Sequence, residues 1–133
     1  MEKKVMFRHV RVVDLSKMVD MLMDDVEFTS IYDIPQKKRG TICLMYDNEN
    51  IRVGVSLCSP DDNFSREVGR DIAYNRCNTD KPTMFIPITS VLDGKYSETE
   101  LFNFCVKYLN KLEKFVSSNF NDLISKKVNF SNM

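Results

Sequence analysis

The 133-residue sequence predicts an α+β fold, with a small, mostly antiparallel sheet in its N-terminal part, helices packed on it and a long C-terminal helix. Three observations predict it. Residues 4–13, "KVMFRHVRVV", alternate with the period of a strand. Two apolar runs, 41–46 and 51–58, flank the polar turn Asp47-Asn48-Glu49-Asn50 and read as a hairpin. From Ser97 onward, apolar residues recur at helical spacing as far as Leu123.

In the first strand, Met6, Val10 and Val12 fall on one side and Val5, Phe7, His9 and Arg11 on the other. Asp14 or Ser16 then caps a helix to about Glu27, with Leu15, Met18, Val19, Leu22 and Val26 as its stripe. The cluster Met18, Met21 and Met23 reads as core filling or as an adaptable partner groove. Residues 29–40 read as a loop, where Pro35 and Gly40 enclose the cations Lys37, Lys38 and Arg39. Those cations are a solvated loop unless the fold brings them beside the arginines further along. In the second hairpin strand, Gly54 marks a bulge or a close backbone approach. Residues 81–92 give another strand, which Pro87 pushes to the sheet edge, and Asp93-Gly94 gives a turn.

The last helix opens on a capping box, Ser97 and Glu100. Its stripe runs through Leu101, Cys105, Tyr108, Leu109, Leu112, Phe115 and Val116 and continues to Phe120 and Leu123, predicting about 25–30 residues and a length of roughly 40 Å. Such a helix overhangs a small sheet, and Phe102 and Phe104 widen its apolar surface, which points to homo-oligomerisation through the C-terminal half. The alternative is a core helix broken near Ser117-Ser118.

Composition bounds the function. The length suits one domain spanning residues 1–133. Nineteen basic residues balance nineteen acidic ones, so no global field draws the chain to a nucleic acid polymer or an anionic membrane. No run approaches the roughly 18 apolar residues of a membrane span, and the N-terminus lacks the apolar stretch of a secretory signal. The four cysteines, at 43, 58, 77 and 105, lack metal-ligand spacing, and His9 is the only histidine, so neither a metal nor a cofactor is expected. Phosphate-loop, dinucleotide, serine-hydrolase and zinc-protease motifs are missing, which argues against an enzyme. Cys58, at a strand end before a helix, is a weak candidate nucleophile with no base near it in sequence.

The segment that carries most information is "IRVGVSLCSPDDNFSREVGRDIAYNRC", residues 51–77. Ser59 as cap, Pro60 as first helical residue and Asp61-Asp62 in the first turn predict a helix from Pro60 to about Asn75. Phe64, Val68 and Ile72 form its expected buried seam. On another face Arg66 and Arg70 lie four apart, with Gly69 and Ala73 beside them and Arg76 further on. A helix-interior glycine costs about 1 kcal/mol relative to alanine, so something approaches closely at Gly69. Two readings stay open: the helix nestles on the sheet through Gly69, or the arginines form an anion-binding face suited to bidentate phosphate contacts. In the second reading Arg66, Arg70 and Arg76 pair with phosphate, and Phe64 and Tyr74 are candidates for stacking on a base.

Residues 53–76 also resemble a segment of small phage-encoded proteins with the pattern G-V-x-x-C-x-P-x-D-x-F-x-x-x-x-G-R-x-x-A-x-x-R. Gly54, Val55, Cys58, Pro60, Asp62, Phe64, Gly69, Arg70, Ala73 and Arg76 match it. The segment is similar to the anti-Thoeris sponge family, which sequesters the cyclic ADP-ribose signal of bacterial TIR-domain enzymes. The resemblance implies an N-terminal antiparallel sheet with C-terminal helices, and a ligand bound without cleavage at a subunit interface in the host cytoplasm. The partner expected on that basis is a small phosphorylated nucleotide signal. A protein-binding inhibitor of a host defence complex, anti-CRISPR-like, is the alternative from another class, with the acids of residues 20–27 or the long helix as its surface.

Overall fold

The computed structural model describes residues 2–12, 38–58 and 65–133. Four strands, β1 (Lys4–Val12), β2 (Lys38–Tyr46), β3 (Asn50–Cys58) and β4 (Met84–Pro87), form one antiparallel sheet in the order β1-β2-β3-β4. Helix α1 (Arg66–Cys77) packs on one face and helix α2 (Glu98–Ser118) on the other. A short helix, α3 (Phe120–Ile124), and a 3-10 turn (Phe130–Asn132) complete the chain. The α+β architecture is the one expected. No helix among the described residues is long and apolar enough to cross a membrane. The predicted helix at 14–27, its methionine cluster, the 29–37 part of the predicted loop and the Ser59-Pro60-Asp61-Asp62 helix start lie outside the described residues.

The hairpin forms because two alternating strands meet at a turn that satisfies its own backbone. Asp47 Oδ1 accepts from the backbone N–H groups of Glu49 (2.7 Å) and Asn50 (2.9 Å). Partial burial pushes the Asp47 carboxyl up, but the bonds from Asn50 and Glu49 outweigh it and hold it below its ordinary value. A folded pKa below the unfolded value of about 3.9 contributes stability above that pH, which is lost as pH falls through the folded value. Asp47→Ala is therefore expected to cost about 1 kcal/mol at pH 7 in urea denaturation, with the difference from wild type shrinking below pH 4.

β2 starts at Lys38, three residues before the expected 41, so Lys38 and Arg39 belong to a strand and not to a loop. The reason is pairing: the nine residues of β1 are matched along their whole length, from Lys4 opposite Tyr46 to Val12 opposite Lys38. β4 is shorter than predicted, pairing with β3 only from Asn50–Pro87 to Val53–Met84. Pro87 ends it at the sheet edge, and Ile88–Ser90 turns into a 3-10 segment.

Alternation sends Val10, Ile42, Leu44, Ile51 and Val53 to the α2 face, where they meet Leu101, Cys105, Leu109, Leu112 and Val116. Ser97 caps α2 by accepting from Glu100 N at 3.1 Å. The alternative of a break near Ser117-Ser118 holds and the helix of 25–30 residues does not: α2 stops at Ser118, where Asn119 leaves helical geometry and its side chain donates to Phe115 O at 2.9 Å. Phe120 stays in the core on α3, so the apolar stripe outlives the helix.

Helix α1 corrects two further expectations. It begins at Arg66, because Ser65 is extended and its hydroxyl accepts from Val68 N at 3.3 Å. Its buried face is Gly69, Ala73 and Cys77, whereas Val68 and Ile72, expected in the seam, are 56% and 37% exposed. The sheet residue beneath is Gly54, where an added Cβ would lie 2.0 Å from Ala73 O and 2.5 Å from Cys77 N. Backbone meets backbone here, so the face had to be built from small residues. Cys77 Sγ donates to Arg52 O at 3.2 Å and fixes the C-terminal end of the helix.

Candidate anion-binding site

The α1 face of the sheet changes character along its length. One row across the strands is Phe7, Cys43 and Gly54; the next is His9, Thr41 and Ser56; the next is Arg11, Arg39 and Cys58. Helix α1 covers the small apolar row, and its first turns reach the polar one. His9 Nδ1 lies 3.1 Å from Thr41 Oγ1. Thr41 and Ser56 are the buried polar residues of the described core.

Arg66 and Arg70 lie near enough to this row for their charges to act on His9. The Arg70 guanidinium sits 5.3 Å from the centre of the Phe7 ring, a cation–π contact that orients it over the sheet. Burial first, and then the charges of Arg66 and Arg70, push the His9 imidazole below its ordinary value. His9 is thus held neutral at pH 7 beside two cations. Arg11 and Arg39 stand directly opposite one another in the next row, two cations on the α1 face of the sheet. The condition set on the cations of residues 37–39 is therefore met for Arg39, which shares the face with Arg66 and Arg70. Lys38 pairs with Val12 and, by alternation, points to the opposite face. Among the described residues, Arg66 and Arg70 form no ion pair, and the one salt bridge, Arg8–Glu113 at 2.6 Å, lies on the α2 face.

The remaining sequence candidates separate. Gly69 lies on the buried face of α1, with Ala73 and Cys77. Arg76 leaves the group: its Nη1 donates to Val55 O at 2.6 Å on the outer edge of β3. Tyr74 is exposed on α1 and Phe64 lies outside the described residues. His9, Thr41, Ser56 and Arg11 were not among the expected site residues. Their polar alternation in β1 was visible, but the row they form exists only in the register of three strands.

The arrangement can bind an anion through guanidinium forks and hydroxyls. The side-chain hydrogen bond between Cys43 and Cys77, together with burial, pushes the Cys43 thiol up; the same bond outweighs burial and holds Cys77 below its ordinary value, and burial raises Cys105 to about 12. No group of three metal-ligating side chains occurs among the described residues. No family model, curated protein or solved structure matches the chain.

Proposed function

We propose that the protein captures a small phosphorylated nucleotide signal of the cyclic ADP-ribose class and holds it unchanged, acting as a phage counter-defence sponge in the host cytoplasm. The observation that carries this reading is the gathering of cations on one face of the sheet: Arg70 over Phe7, Arg66 and Arg70 acting on His9, and Arg11 and Arg39 in the adjoining row. Several guanidinium groups on one face of the sheet suit a diphosphate, whose oxygens accept paired N–H donors. Capture then works by mass action and requires tight binding but no turnover. Homo-oligomerisation is part of the proposal, and half-exposed Phe102 on α2 supports it. A second reading, a protein-binding inhibitor, is favoured by the apolar Val68 and Ile72 left open on α1.

The test is retention. The protein is mixed with micromolar cyclic ADP-ribose isomers, freed of unbound ligand on a desalting column and heat-denatured, and the supernatant is analysed by chromatography. Intact ligand is expected; degraded ligand would make the protein an enzyme, and no retention removes the sponge reading. The chain's single histidine gives a direct local readout by proton NMR. An anion between Arg66 and Arg70 is expected to raise the pKa of His9, because it offsets the two charges that lower it. Light scattering checks the oligomer, and a strict monomer at high concentration counts against that part.

A further inference from the structure

A second feature lies at the outer edge of β3, apart from the Arg66–His9 cluster. β3 outruns β4, which stops pairing at Val53. Just beyond, Val55 N donates to Thr83 Oγ1 at 3.2 Å and Val55 O accepts from Arg76 Nη1 at 2.6 Å. Side chains thus take the place of a ladder at that residue. The space left beside the edge is closed from the other side by α3 and the C-terminal tail, which Phe130 anchors against Phe115 with ring centres 5.6 Å apart.

The result is an open cleft of about 640 Å³, within the roughly 300–1,000 Å³ of small-molecule sites. Its walls are mostly apolar, Val55 and Leu57 from the strand and Leu123, Ile124, Val128 and Phe130 from the tail, with the polar Thr83 and Asn129 between them. Two cations, Arg76 and Lys126, line it, and no described carboxylate does. Arg76 is already oriented by its bond to Val55 O, with further guanidinium donors to spare. Lys126 has a φ of 61°, the left-handed region that favours glycine, and is the only such non-glycine among the described residues. The turn is held by Lys126 N to Leu123 O (3.3 Å) and Lys127 N to Asp122 O (2.9 Å). Glycine would suit that backbone better, although a cation just past the C-terminus of α3 also complements the helix carbonyls.

We propose that this cleft is a binding site for a small amphipathic anion, with an aliphatic or aromatic body on the apolar walls and a single carboxylate-type head between Arg76 and Lys126. The charges of the cleft and its apolar lining select that class: a neutral hydrocarbon leaves the cations unused, and a highly charged nucleotide leaves the walls unused. The site shares no residue with the Arg66–His9 cluster and stands or falls independently of it.

The test uses the fluorescent anion 8-anilinonaphthalene-1-sulfonate with the full chain, with octanoate and 1-octanol as competitors. Saturable one-to-one binding is expected, displaced by octanoate at concentrations where 1-octanol has no effect. Lys126→Gly is the decisive variant, because it relieves the left-handed backbone while deleting the ammonium. It is expected to weaken probe binding about tenfold, with thermal stability unchanged or higher and retention of cyclic ADP-ribose unaffected. Arg76→Gln is expected to weaken probe binding at least as much. Equal probe affinity in Lys126→Gly and wild type, or equal displacement by octanoate and 1-octanol, means an adventitious probe only and overturns the proposal.

Discussion

A Gly54→Ala variant is expected to lose about 3 kcal/mol or more of folding stability, a drop on the order of 10 °C in thermal unfolding. The added methyl would lie 2.0 Å from Ala73 O, 2.5 Å from Cys77 N and 3.0 Å from Cys77 Cα. All three are backbone atoms of one helix, so no rotamer change relieves the clash and α1 as a whole has to lift. Lifting it breaks the Cys77–Arg52 hydrogen bond and opens the small apolar cluster of Cys43, Met45, Ala73 and Cys77. It also displaces Arg66 and Arg70, which are carried on that helix, so ligand retention is expected to fall with stability. Gly94→Ala is the control. Gly94 has a φ of 66° but nothing within 4 Å of an added Cβ, so only the backbone penalty of about 1–2 kcal/mol applies. Equal losses in the two variants would mean that close approach at Gly54 contributes nothing.

The same contact explains what the sequence concealed. Gly54 read as a close approach, and the hairpin around Asp47 and the two faces of β1 were legible because strand alternation is a local signal. The seam of α1 was not. Large apolar residues four apart, Val68 and Ile72, imitate a buried stripe, but a helix resting on a glycine is limited by backbone distance, and small residues take the inner face. The end of α2 was legible only as the alternative break near Ser117-Ser118, because Phe120 and Leu123 keep the apolar phase across Asn119 and periodicity passes over a change of direction. The site was half visible. Arg66 and Arg70, four apart, are separated by about 40° around the helix, whereas the six residues from Arg70 to Arg76 rotate by about 600° and place Arg76 some 120° away. That rotation carries it to the β3 edge. The pairing of His9 with Thr41, and of Arg11 with Arg39, depends on register between strands joined by a long connection, which no local pattern records.

Removing both arginines, Arg66→Ala with Arg70→Ala, is expected to weaken binding of a cyclic ADP-ribose-class ligand by about 100- to 1,000-fold in isothermal titration. Charge-assisted hydrogen bonds to a phosphate are each worth about 1.5–3 kcal/mol, and two sum to about 3–4 kcal/mol when some coupling is allowed. Folding is expected to survive, because both side chains are exposed and the buried face of α1 is Gly69, Ala73 and Cys77. Arg70→Lys separates charge from geometry: it keeps the cation but loses the planar fork, and recovery of less than half the lost binding energy is expected. The free double variant carries its own control. Burial remains but both neighbouring charges are gone, so the His9 pKa rises towards its ordinary value even without ligand. Ligand then no longer shifts it further. A double variant that binds as tightly as wild type while its His9 titration moves as expected places the nucleotide elsewhere on the protein. A variant that loses binding and also loses the ligand-induced His9 shift locates it between α1 and the His9–Thr41 row.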